Sequence, residues 1–117
     1  MYPQNTIARI TIQPTTDFNP FKDEEIEQSI PQRFEQQVRA YGDHLAIRSD
    51  RESYTFASVN LTANRLARTI LSRRGNLVEP IALLFDHGAA VLASILAVLK
   101  TGKFYVVLDA SYPPDRL

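Results

Sequence analysis

Ile81-Ala82-Leu83-Leu84-Phe85, then Asp86, then an apolar run from Ala89 to Leu99 closed by Lys100, Gly102 and Lys103, then Phe104-Tyr105-Val106-Val107-Leu108-Asp109: this stretch decides the fold. Each flanking run is continuously apolar rather than alternating, as in a strand covered on both faces. The middle segment, about His87 to Lys100, reads as a helix that Asp86 can cap and that a cation and a glycine can end. Strand, helix and strand within roughly 30 residues make a βαβ crossover, for which a parallel sheet and a right-handed connection are expected. The middle helix is apolar almost all round, whereas a surface helix needs only one apolar stripe. Cover is therefore expected from a larger parent domain or from a second copy docked on the exposed apolar helix.

Upstream, Val59, Ala63, Leu66, Ala67 and Ile70 recur at helical spacing between a capping Thr55 and a terminating Gly75. The opposite side of that helix, with Asn60, Asn64, Arg65, Arg68 and Ser72, reads as its wet face, and Arg73 and Arg74 suit the negative end of its dipole. Leu45-Ala46-Ile47 and Tyr54-Thr55-Phe56, joined by a polar Ser49-Asp50-Arg51-Glu52 connection, predict a short antiparallel hairpin. Before it, Ser29 with Gln32 forms a capping-box pattern, Pro31 falls in the first turn, and Ile30, Phe34, Val38 and Tyr41 make one apolar stripe on a helix that Gly42 can close. Residues 1–28 differ in character, being broken by Pro3, Pro14 and Pro20 and ending in an acidic Asp23-Glu24-Glu25-Ile26-Glu27 stretch expected to be solvated. They read as a leader or edge segment.

Composition narrows the function classes. The 117 residues are 44% hydrophobic, enough for a core, and contain no cysteine, so disulfides and thiolate metal sites are excluded. A formal net charge of zero offers no general attraction to nucleic acid or anionic lipid. No apolar run approaches the roughly 20 residues of a membrane span. Met1 to Ile12 has polar residues and Arg9 where a secretory signal needs an unbroken apolar stretch, so the expected location is cytoplasmic.

The stretch Leu99-Lys100-Thr101-Gly102-Lys103-Phe104-Tyr105-Val106-Val107-Leu108-Asp109-Ala110-Ser111-Tyr112-Pro113-Pro114-Asp115-Arg116-Leu117 resembles the second core motif of nonribosomal peptide synthetase adenylation domains, members of the AMP-dependent synthetase and ligase superfamily. Tyr54-Thr55-Phe56-Ala57-Ser58-Val59 with Asn64, Arg65, Leu66 and Ala67 is similar to the first core motif, and Ile30 to Ala46 to the family's opening helix and first strand. Val107 and Ala110 stand where the family usually has prolines, and Ser58 where it has the glutamate that completes a capping box with Thr55. The resemblance implies an α/β fold in which residues 29–117 are the N-terminal part of an AMP-binding adenylation domain, a βαβ portion preceded by an amphipathic helix and a short hairpin. It implies a parent that uses ATP and Mg²⁺ to make an aminoacyl adenylate and passes the acyl group to a carrier protein. The phosphate loop and catalytic lysine of family members lie beyond the position of Leu117, so this segment alone is expected to be inactive, with no catalytic, cofactor-binding or metal residue of its own. The alternatives are a segment of an acyl-CoA or fatty-acyl-AMP ligase, or a non-catalytic α/β interaction module.

A search independent of the resemblance leaves few candidates. His44 and His87 are the only histidines, 43 positions apart, with no metal-pair spacing. Asp109 ends a parallel strand, the sheet edge where ligands bind in open α/β folds, but an Asp there also accepts hydrogen bonds from the turn that follows. Lys100 and Lys103 could approach a phosphate, yet a helix C-terminus favours cations for dipole reasons alone.

Overall fold

The computed structural model describes residues 20, 22–85 and 88–116. Three helices, α1 (Ile30–Tyr41), α2 (Phe56–Arg74) and α3 (Ala90–Lys100), combine with an antiparallel pair, β1 (Leu45–Arg48) and β2 (Ser53–Thr55), and a parallel pair, β3 (Pro80–Phe85) and β4 (Phe104–Asp109). The acidic Asp23–Glu27 stretch forms a short 3₁₀ helix. It is not wholly solvated: Glu25 accepts from the Lys22 N–H and pairs with Arg33 of α1 at 2.9 Å.

Local signals start and stop the elements. The Ser29 hydroxyl accepts from the Gln32 N–H at 3.2 Å and the Gln32 side chain accepts from the Ser29 N–H at 2.9 Å, closing the capping box at α1. Replacing Ser29 with alanine is expected to cost about 0.5–2 kcal/mol of stability in urea titration, with most of the loss recovered by Ser29→Asp. Gly42 ends α1 in ordinary right-handed geometry. Glycine is required there by space, because a Cβ would lie 2.9 Å from the Val38 carbonyl oxygen. At α2 the Thr55 hydroxyl accepts from the Ser58 N–H at 3.1 Å. Ser58 does not reach back to the cap's own N–H; its hydroxyl donates to the Thr55 carbonyl at 3.0 Å instead. Gly75 stops α2 with φ 71°, a conformation that favours glycine.

The hairpin forms where the pattern places it, with a register irregularity between Leu45 and Ile47. Phe56, expected in its second strand, is the first residue of α2, since the Thr55 cap already turns the backbone. The stripe of α1 is shorter than expected. Phe34 packs near Phe56 with ring centroids 6.0 Å apart, but Ile30, in the first turn, is 66% exposed because none of the described elements reaches it.

The βαβ unit is parallel and in register from Pro80 opposite Phe104 to Phe85 opposite Asp109. The Ala110 N–H then donates to the Phe85 carbonyl at 3.1 Å. A proline at position 110 has no N–H to make that bond. The capping role expected of Asp86, and the helical turn expected at His87, lie outside the described residues.

Two expectations about burial change. The apolar helix does not lack cover: Ala93, Ser94, Ala97 and Val98 of α3 are buried. Ala97 shares a core with Ala63 and Ala67 of α2, flanked by Leu66, Ile70 and Leu96. Alanines on both helices permit close approach, so α2, the sheet and, through Lys100, α1 cover one side of α3, leaving Ala90 and Leu92 exposed. The uncovered surface is on the sheet. In β3, Leu83 is buried while Ala82 and Leu84 are exposed, and Phe104 to Val107 of β4 are each 40–49% exposed. β3 is thus open on one face and β4 on both along Phe104 to Val107, where cover on both faces was expected. Asn60, read as part of a wet face, is half-buried on α2, and its Oδ1 has no partner among the described residues.

Candidate functional site

At the C-terminal edge of the parallel pair, β3 and β4 bring Phe85 and Asp109 level. One oxygen of the Asp109 carboxylate accepts from the Ser111 N–H at 2.8 Å and from the Ser111 hydroxyl at 2.7 Å, while its carbonyl accepts from the Tyr112 N–H at 3.1 Å. This is the Asx-type turn that an aspartate at a strand end can build. Asp109 organises the exit from β4 toward the 3₁₀ turn at Pro114–Arg116.

The opposite edge holds a cluster of charged side chains. Arg74, in the last turn of α2, donates two hydrogen bonds to the Glu79 carboxylate, at 2.9 Å and 2.8 Å. The Lys103 ammonium, whose side chain is fully buried, donates to the Leu77 carbonyl and stands 3.5 Å from Glu79. Lys103 therefore does more than complement a helix dipole: it fastens the start of β4 to the connection that precedes β3. A buried ammonium requires both a counter-charge and hydrogen-bond acceptors, and Glu79 and Leu77 supply them. Lys100 is likewise engaged, 2.6 Å from Glu35 of α1. No sequence signal marked Glu79 or Glu35, since one pair spans a glycine turn and the other spans four intervening elements.

Hydrogen bonds from Arg74, reinforced by its charge and by that of Lys103, hold the Glu79 carboxylate down at about 2. The unfolded chain presents an ordinary glutamate titrating near about 4.3. Because the folded value is the lower one, the contribution of Glu79 to stability is complete above about pH 4.3 and is lost as the pH falls toward 2. Glu79→Gln is therefore expected to flatten the acid limb of a stability-against-pH curve, while leaving its shape above about pH 5 unchanged.

His44 is exposed and meets Tyr41 edge-on, with centroids 5.2 Å apart, and His87 lies outside the described residues. Among the described residues no group of three or more His, Asp or Glu side chains is placed to hold a metal ion, and no helix is long and apolar enough to cross a membrane. An open groove of about 720 Å³ lies between α1, α2 and α3, lined by Ser29, Glu35, Asn64, Arg68, Leu71 and Lys100 among others.

Known proteins share this outline. Surfactin synthase subunit 1 of Bacillus subtilis (strain 168) is 40% identical over 91 residues, which are 78% of this chain and 2% of that protein. Gramicidin S synthase 2 of Brevibacillus brevis is 31% identical over 90 residues, 77% of this chain and 2% of that protein. The chain thus spans only a few per cent of the length of these curated relatives. Among solved structures, the nonribosomal peptide synthetase FmoA3 bound to α-methyl-L-serine-AMP superposes on 74% of the chain with a TM-score of 0.70 at 23% identity, covering 10% of that chain. The N-terminal subdomain of Klebsiella oxytoca NpsA does so over 74% with a TM-score of 0.68 at 17% identity, covering 23% of that chain. These likenesses establish the α/β fold. The model of the family described as AMP-binding enzyme matches residues 34–117, from Phe34 of α1 through the whole βαβ unit, and the chain belongs to that family.

Proposed function

We propose that this chain serves as the opening part of the large domain of an amino-acid-activating enzyme of nonribosomal peptide synthesis, working in the cytoplasm. Residues 29–117 are the domain's own elements in this reading, and residues 1–28 the segment that leads into it. The observation that carries it is the family match over residues 34–117, together with relatives that are peptide synthases. The same relatives favour an amino acid over a fatty acid as the group activated. An interaction module docking through α3 is disfavoured, because Ala93, Ser94, Ala97 and Val98 of that helix are already buried against its own chain.

The parent reaction uses ATP with Mg²⁺, and the remainder of the adenylation domain and a carrier protein are the partners this reading requires. The described residues do not fit the nucleotide. Lys100 and Lys103 are held by Glu35 and Glu79, Asp109 is engaged by its own turn, and the described residues include no glycine-rich backbone cradle. The role left to this chain is architectural: it supplies a parallel strand pair and a packed helical layer on which the nucleotide-binding elements of the parent can be mounted.

The test is amino-acid-dependent exchange of labelled pyrophosphate into ATP by the complete protein that carries this chain. Exchange with one or a few amino acids is expected, and calorimetry on the 117 residues alone is expected to register no ATP binding. Exchange driven by fatty acids but by no amino acid, or tight ATP binding by the isolated chain, overturns the proposal.

A further inference from the structure

We draw no further inference here: the strongest candidate, the open groove of about 720 Å³ between α1, α2 and α3, carries nothing, because its buried cation Lys100 is already paired with Glu35 and no unpartnered buried polar group among the described residues lines it.

Discussion

Ala97→Leu is expected to destabilise the chain by about 1–3 kcal/mol, because the three added carbons have nowhere to go. Ala97 is completely buried and packs with Ala63 and Ala67 of α2, so the two helices meet through methyl groups rather than through long side chains. A leucine there must push the helices apart or leave its preferred rotamer, and either response disturbs Leu66, Ile70 and Leu96 as well. Ala90→Leu on the same helix is the control. Ala90 is exposed, so the same chemical change should alter stability by no more than about 0.5 kcal/mol. Urea titrations of both variants at low micromolar concentration separate the effects. Equal losses at the two positions would show that helix propensity, not the α2–α3 contact, governs the response.

That contact also marks the limit of what the linear pattern reveals. Signals that act over three or four residues were legible: the Ser29 and Gln32 box, the Thr55 cap, the Gly75 stop and the Asp109 turn all depend on neighbours within one helical or turn span. The βαβ order was legible as well, since two uninterrupted apolar runs about a helix length apart admit few other arrangements. What escaped depends on partners distant in sequence. Lys103 reads as an ordinary cation beyond a helix end until Leu77 and Glu79 arrive from 26 and 24 positions upstream. The burial of one side of α3 by its own chain is not legible from its apolar circumference alone. Small residues at positions 63, 67, 93 and 97 let its own neighbour come close enough to provide it. As for the candidate site, the turn that engages Asp109 was legible from its position at a strand end, but the partners that engage Lys100 and Lys103, distant in sequence, were not.

The second large effect concerns association. The isolated chain is expected to self-associate with rising concentration, because the parallel pair has unpaired strand edges and an apolar open face. Phe104 to Leu108 are uncharged, rich in β-branched and aromatic residues and free of proline, and the whole chain has a formal net charge of zero to oppose contact. Leu84 on β3, 57% exposed, extends the same surface. Placing a charge on it should suppress association without harming the core, because Val106 is already 45% exposed. In sedimentation velocity, Val106→Lys is expected to shift the onset of oligomers to at least about tenfold higher concentration, equivalent to about 1.4 kcal/mol. Unchanged sedimentation of a folded Val106→Lys variant would place the sticky surface elsewhere, with the exposed Leu77 and Val78 preceding β3 as the next residues to test.

The Lys100–Glu35 pair joins the last helix to the first across 65 positions. During synthesis, α1 leaves the ribosome with its capping box complete but without that anchor. At roughly 5–20 residues per second, several seconds pass before α3 can follow. For that interval the helix has its own hydrogen bonds, the Glu25–Arg33 pair and, once α2 begins, the Phe34–Phe56 contact, and a 12-residue helix is marginal in water on its own. The N-terminal layer is therefore fastened in stages, its last anchor waiting until the crossover behind it has been translated.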